Sequence, residues 1–419
     1  MSKRSIAILV LLAVIGFYAF GTGFNFFYRF FYALILLLSM GLVWSWLGLQ
    51  GIDVDLFRTA SRGTVGGYLV GRIRFRNRIR LPKSWLEVVE VTDLPDPSTG
   101  RGLAVIGDQV RVWRTETYLS RRGVFQTGQL EVTSQDPFGL FRLRRRFLEP
   151  KTYTVLPAAH PLPDMDPLLA NLPSDGRFTR HWDHITTDVA SIRHYNEGDS
   201  YRRIHWPYTA RMNSLMVKEF DMGLSAESWV VVDMEAGVHI GVDVDPVVNT
   251  EETAVIIAAS LIARLAEFSL PVGLAVNGDN TYVHRPNTSP EHPGRLMETL
   301  AIVRASGAVG LERFLYDLRP SFSRFNTLTV VTPSRETAWV PAIGQLRRQG
   351  VNVSVVMIDP QDFGEAPSIE PVLQSLAAND VPHYLVKKGV SLNECLRLPL
   401  SRRVSVGATA APIGKGGAA

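Results

Sequence analysis

The chain has 419 residues, 46% hydrophobic and 20% charged, with a formal net charge of +4 and a single cysteine, Cys395. That is material for an apolar anchor and about two further domains, and the lone cysteine excludes an internal disulfide framework and fits a reducing compartment. The positive charge is mild and is concentrated in two arginine-rich strands rather than spread over the chain.

Lys3 and Arg4 open the chain, Ile6 to Phe20 then runs apolar without a charge, and after Gly21 to Asn25 a second apolar run extends from Phe26 to Leu49. A helix of about 20 residues crosses a hydrocarbon core of about 30 Å, so residues 1–50 are expected to form a transmembrane helical hairpin. Arg29, near the start of the second run, has a side chain long enough to reach the headgroups. Lys3 and Arg4 precede the pair and Arg58, Arg62, Arg72 and Arg74 follow it, while the connecting loop is nearly uncharged. The positive-inside rule then places both ends and all the soluble mass in the cytoplasm. A competing reading takes Ser5 to Phe20 as a cleaved signal peptide, but no small-x-small cleavage site is evident and a second span follows at once.

Residues 51–157 read as a small antiparallel β-domain. In GRIRFRNRIRLPKSW, Arg72, Arg74, Arg76, Arg78 and Arg80 alternate with Ile73, Phe75, Asn77 and Ile79, so at period two the arginines share one face. FRLRRRF from Phe141 to Phe147 repeats the pattern less regularly. Trp85 to Thr92 and Gln109 to Tyr118 are further strand-like runs, and the Leu94 to Gly100 cluster of Pro, Asp and Gly breaks the series. The arginine rows are either solvated faces that protect sheet edges or contacts to anionic lipid, where each basic residue contributes about 1 kcal/mol. Nucleic acid is the poorer reading, because no aromatic residues interleave with the arginines on that face to stack bases.

From Glu227 to Arg403 the pattern changes to alternating strands and helices, which predicts an α/β domain with a mostly parallel sheet covered on both faces. Ser228 to Asp233, Val272 to Val276, Thr327 to Val331, Asn352 to Ile358 and His383 to Val386 read as strands. Thr250 to Ser269, Gly294 to Ala305, Leu311 to Leu318 and Ala338 to Gln349 read as helices, the first capped and acidic in its opening turn. The stretch around Leu392 to Leu396 closes the series, and the Gly- and Ala-rich residues 404–419 are expected to be a disordered tail.

Ligands of such sheets sit outside the carboxyl ends of the strands. There the chain has Asp233, Met234, Glu235, Ala236 and Gly237, and the later strand ends in Thr332 and Pro333. This is similar to the start of the Asp-x-Ser-x-Ser metal motif of von Willebrand factor A domains, with Glu235 and Gly237 at the two serine positions. A hard divalent ion takes several oxygen ligands, so Asp233 with Glu235 is read as a degenerate site and no metal or cofactor is expected. No glycine-rich dinucleotide loop follows a strand and no Walker A loop exists. His181 and His184 lack cysteine or acidic partners at a matching interval, and nothing marks Cys395 as an activated thiol. No catalytic residue is therefore named, although a Ser-His-Asp arrangement is a matter of space rather than of sequence order.

Residues 158–226 lie between the two domains and carry SIRHYNEGDSYRRIHWPYTARMNSLMVKEFD from Ser191 to Asp221. Arg193, Tyr195, Gly198, Asp199, Arg203, His205, Trp206, Arg211, Lys218, Glu219 and Phe220 make it unusually dense in charge and rings. Gly198-Asp199 is a turn signal, Asp199 suits the cap of a short helical turn over Ser200 to His205, and Pro207 is expected to limit that turn. Arginine forks with Asp199 and Glu219, and guanidinium planes stacked on Tyr195 and Trp206, would make a buried polar clasp. Arg, Trp and Tyr displayed outward would instead make a docking surface for a partner.

In order and spacing these residues, with Thr209-Ala210-Arg211 and Leu215 to Phe220, resemble the signature of a prokaryotic family, domain-of-unknown-function family fifty-eight (DUF-58). Asp136-Pro137-Phe138-Gly139-Leu140-Phe141 resembles its second hallmark. The resemblance covers nearly the whole chain. It implies a membrane-anchored protein with a von Willebrand factor A-like domain that accompanies a MoxR-type AAA+ ATPase. The implied function is that of a non-enzymatic adaptor or scaffold at the cytoplasmic membrane in the maturation or assembly of other proteins, touching the ATPase, the lipid bilayer and other membrane proteins. A hydrolase acting on a cell-envelope precursor is the alternative.

Overall fold

The structure, a computed structural model, describes residues 3–58, 60–97, 100–165, 189–195, 205–212, 214–220, 227–324 and 326–400. It divides into two compact units, Met1–Ala158 with Leu300–Ile302, and Ala159–Thr299 with Val303–Ala419. The expected tail and His181 and His184 lie outside the described residues.

The first unit opens with α1 (Lys3–Thr22) and α2 (Asn25–Gly48). The chain reverses between them at Gly23, whose φ of +66° suits a residue without a Cβ. The two helices meet through aromatic rings: Tyr18 stacks on Phe27 at 5.9 Å, and Phe20 lies edge-on to Tyr28 at 5.5 Å and to Phe31 at 5.9 Å. Among the described residues, α2 alone is long and apolar enough to cross a membrane; the apolar stretch of α1, Ala7–Thr22, is shorter.

Ten strands follow: β1 (Ile52–Arg58), β2 (Arg62–Thr64), β3 (Tyr68–Asn77), β4 (Lys83–Val91), β5 (Arg101–Val105), β6 (Val110–Tyr118), β7 (Gly123–Thr127), β8 (Gln129–Gln135), β9 (Arg142–Phe147) and β10 (Lys151–Leu156). They form the sheets β1-β3-β6, β2-β10-β7 and β5-β4-β8-β9. Neighbours run antiparallel except β2, which pairs parallel with β10. Alternation explains the core: inward residues of β1, β3, β4 and β8, among them Val54, Ile73, Phe75, Leu86, Val88, Leu130 and Val132, close into one cluster.

The arginine row is shorter than its period suggests. Arg72, Arg74 and Arg76 share the outer face of β3, but the strand ends at Asn77. That side chain is buried; its Nδ2 donates to Leu81 O at 2.9 Å and its Oδ1 accepts from Ile79 N at 3.2 Å. An asparagine that satisfies the backbone two and four residues on closes a turn in place of a ladder, so Arg78 and Arg80 leave the row. Arg76 pairs with Asp108, Arg78 with Asp53, Arg142 with Glu87, and Arg144 and Arg146 with Glu131. Exposed pairs of this kind contribute roughly 0–1 kcal/mol each. Much of the basic surface is thus internally matched.

The second unit contains a two-stranded ribbon, β11 (Val189–His194) against β12 (Met216–Phe220), with α3 (Trp206–Met212) between them in the chain. Then come β13 (Ser228–Val232), α4 (Thr250–Glu267), β14 (Val272–Asn277), β15 (Thr281–Asn287), α5 (His292–Ile302), α6 (Leu311–Leu318), β16 (Thr327–Thr332), α7 (Val340–Arg348), β17 (Asn352–Ile358), α8 (Glu370–Ala378), β18 (His383–Val386) and α9 (Leu392–Cys395). The sheet order is β15-β14-β13-β16-β17-β18, parallel throughout except for β15 against β14. Every residue of β13, β14 and β16 is buried, as expected of central parallel strands covered on both faces. Asn249 caps α4 by accepting from Glu252 N at 2.8 Å.

β15 and α8 stand outside the expected series. β15 was not among the expected strands; its residues alternate between exposed and half-exposed, as an edge strand does, and the Gly278-Asp279-Asn280 turn returns it antiparallel to β14. The closing stretch at Leu392 is a short helix, in which Cys395 is buried.

Candidate functional site

Two places gather the residues singled out in the sequence. The first is the signature ribbon. Its register sets Arg193 opposite Val217, Ile192 opposite Lys218, Ser191 opposite Glu219 and Val189 opposite Phe220. Tyr195 N donates to Leu215 O at 2.9 Å and His205 N to Met216 O at 2.8 Å, so the chain between them leaves and returns beside the same two residues. Gly198, Asp199 and Arg203, on that excursion, lie outside the described residues, as does all but His205 of the helical turn expected over Ser200 to His205.

Pro207 stands in the first turn of a helix of its own, while the turn it was expected to limit lies outside the described residues. α3 starts at Trp206, where the fixed φ of proline suits the first turn and its missing N–H has no intrahelical partner to lose. His205 caps that turn: its carbonyl accepts from Thr209 N at 2.9 Å and its Nδ1 from Tyr208 N at 3.1 Å, which puts the ring proton on Nε2 in the neutral form. The Tyr208 ring stands edge-on to it at 6.1 Å. Thr209 Oγ1 accepts from Met216 N at 3.0 Å and ties α3 to β12. The outer side is apolar: Trp206 is 64% exposed, and Met212 and Leu215 are also exposed, with Arg211 among them.

The second place is the carboxyl edge of the sheet. Asp233 follows β13, Asn277 ends β14 and Thr332 ends β16, three adjacent parallel strands, at the point where the chain switches from one side of β13 to the other. Asp233 is fully buried. Its Oδ1 accepts from Asn277 Nδ2 at 3.1 Å and Glu235 N at 3.2 Å, and its Oδ2 accepts from Thr332 Oγ1 at 2.7 Å. The Thr332 oxygen in turn accepts from Ser334 N at 2.9 Å, and Asn277 Oδ1 from Met234 N at 2.6 Å. His239 Nε2 lies 2.9 Å from Asp233 O. A divalent cation takes about six oxygens. With Asp233 closed in and its oxygens and the Thr332 hydroxyl already partnered, this set does not fit one, and no group of three or more His, Cys, Asp or Glu is placed to hold a metal among the described residues.

Glu235 stands beside this network, half-buried. Burial, then the negative charges of Asp233 and Glu336, hold its carboxyl above the usual carboxylate range, against the hydrogen bond it takes from the Leu311 backbone. The folded chain therefore keeps a proton that the unfolded chain has released, and stability falls as pH rises from the ordinary value of 4.5 through the raised one. Glu235→Gln is expected to flatten that decline and unfold at higher temperature than the parent at neutral pH, with no gain below the ordinary value. Thermal unfolding of the full chain in detergent across pH measures it; equal pH profiles would contradict the assignment.

Asn277 was not marked by any motif: an asparagine before Gly-Asp-Asn reads as a turn residue, and only the side-by-side placement of β13 and β14 turns its amide onto Asp233.

Comparison with known proteins bears on the same region. Residues 191–369 match the family described as "Protein of unknown function DUF58". A curated relative, the "Uncharacterized protein YeaD" of Bacillus subtilis, is 24% identical over 131 residues, 31% of this chain and 30% of that protein. Thus the match spans less than a third of the relative's length. Among solved structures, a chain of the complex formed between "Zinc 2-glycoprotein (ZAG) and Prolactin inducible protein (PIP) from human seminal plasma" aligns over 24% of this chain and 92% of that chain at 8% identity, TM-score 0.19. An "Uncharacterized Membrane Spanning Protein from Vibrio fischeri" aligns over 44% of this chain and 99% of that chain at 14% identity, TM-score 0.14. Likenesses at such scores carry no argument about fold or function. The signature from Ser191 to Asp221 lies inside the match, so residues 191–369 form a region similar to the DUF58 family.

Proposed function

We propose that the protein is a non-enzymatic adaptor of the cytoplasmic membrane, anchored by α1 and α2 as a two-span hairpin with both soluble units in the cytoplasm. In this reading the signature ribbon docks a partner protein, a MoxR-type AAA+ ATPase, in the maturation or assembly of other proteins. The second unit is read as a von Willebrand factor A-like domain, which the strand order and the place of Asp233 at the switch of the sheet support. One observation carries the docking role: Trp206, Arg211, Met212 and Leu215 are all exposed within one ten-residue segment held by His205 and Thr209. Trp, Tyr and Arg are the types enriched where binding energy concentrates, and a rigid mount lowers the entropy lost on docking.

Trp206→Ala is expected to reduce recovery of the ATPase in tagged pull-downs from native membranes by more than about tenfold, the effect of losing about 2 kcal/mol at a hot spot, with the unfolding temperature unchanged. Unfolding of the variant would point to the buried clasp. Undiminished recovery of the ATPase, or none with the parent chain, would remove the proposed partner or its site.

The alternative, a hydrolase acting on a cell-envelope precursor, draws on Glu235, a carboxyl kept protonated above its usual range at the ligand edge of the sheet.

A further inference from the structure

The hallmark turn Asp136 to Phe141 is folded against α2 rather than against the sheets alone. Asp136 is buried, with its Oδ2 accepting from Phe138 N at 2.9 Å and its Oδ1 from Phe141 N at 2.6 Å. Gly139, at φ +70°, lets the chain reverse within that clasp. The turn closes on the helix: Ser45, fully buried, donates from Oγ to Phe141 O at 3.2 Å, and a Cβ added at Gly41 would stand 3.3 Å from the Phe141 ring and 3.6 Å from the Asp136 carboxyl. One turn further, Gly48 lies against Ser134. Lys83, itself buried, donates from Nζ to Leu47 O at 3.1 Å, Gly48 O at 3.0 Å and Gln50 O, and so ties the carbonyls at the helix end to the start of β4.

Length then sets the depth. From Asn25 to Gly41 the helix rises about 24 Å, short of the roughly 30 Å hydrocarbon core. Together with the proposed reading that α2 spans the membrane, on which this inference rests, the arithmetic leaves the last part of the core at the level of Gly41 to Ser45, where the hallmark turn lies. The side chains displayed there suit that depth. Phe138, at the tip of the turn, is 54% exposed, and Trp44 and Trp46 on the helix and Leu81 on the loop before β4 are exposed as well. Trp44, Leu47, Leu81 and Pro82 line one shallow groove beside the helix end.

We infer that the turn Asp136–Phe141 is a membrane-interface wedge: Phe138 inserts at the boundary between headgroups and acyl chains beside the end of α2, and the first unit is seated on the bilayer instead of hanging from it by a tether. Aromatic rings favour this boundary, and the closed Asp136 clasp hides the backbone N–H groups that an open loop would expose to lipid.

The test uses the full chain in a Cys395→Ala background, reconstituted in phosphatidylcholine and phosphatidylglycerol vesicles. A polarity-sensitive fluorophore is placed in turn at Phe138→Cys, at Met40→Cys on α2 and at Val244→Cys, an exposed position of the second unit. Phe138→Cys should lose iodide quenching relative to Val244→Cys and gain quenching by lipids brominated near the headgroup, with Met40→Cys protected from iodide. Protection at Met40→Cys with full iodide access at Phe138→Cys would overturn the wedge while leaving the span in place. Full access at both would overturn the span, and the wedge with it.

Discussion

Glu90→Ala is expected to destabilise the first unit by about 3–5 kcal/mol, the largest single effect in it. The Glu90 side chain is 3% exposed and meets Arg58, 13% exposed, at 2.5 Å. The same carboxylate oxygen accepts from Gly128 N at 2.9 Å, and Arg58 donates to Thr127 Oγ1 at 2.7 Å, so the pair joins β1, β4 and the bend between β7 and β8. Removing the carboxylate leaves a guanidinium charge largely out of water with no counter-charge, which costs far more than the pair itself contributes. Glu90→Gln should fall between, since the amide oxygen still accepts. A double replacement, Arg58→Met with Glu90→Met, should recover most of the loss because both desolvation costs disappear together. Denaturant unfolding of the full chain in detergent would measure all three. A loss below about 1 kcal/mol for Glu90→Ala would show the pair to be solvated.

Asp233→Ala should cost the second unit about 4 kcal/mol, because around a fully buried position it leaves one N–H of the Asn277 amide, the Thr332 hydroxyl and the Glu235 N–H without their acceptor. Asp233→Asn should cost less, about 1–2 kcal/mol, since the amide oxygen still accepts on one side and only one donor faces a donor. Calorimetry with magnesium or manganese should show no binding tighter than about millimolar for the parent chain. If instead Asp233→Ala leaves stability unchanged while abolishing tight metal binding, the residue is a ligand and not a structural node.

Much of the fold was legible because its causes are local. The alternation in β6, the 3.6-residue spacing in α4 with Asn249 before it, and the apolar length of α2 are written in neighbouring residues, and those elements stand where the periodicity puts them. Errors arose where a side chain overrode the period. Asn77 ends a strand whose arginine alternation runs on to Arg80. The signature drew attention to the ribbon, yet nothing in its composition distinguished an exposed Trp206 from a buried one.

By itself the sequence determined the apolar amino-terminal helices, a β-rich stretch followed by an α/β pattern, and the likeness of residues 191–369 to the DUF58 family, since each depends on residue type at short spacing. Only the tertiary structure decided the partners. Asp233 and Thr332 are 99 positions apart, Arg58 and Glu90 are 32 apart, and Lys83 reaches carbonyls 33 to 36 positions away. Which polar groups meet at such distances follows from sheet order and from the way the helix end seats on its strands. That arrangement is chosen by the burial of the whole core, so no short segment of sequence encodes it.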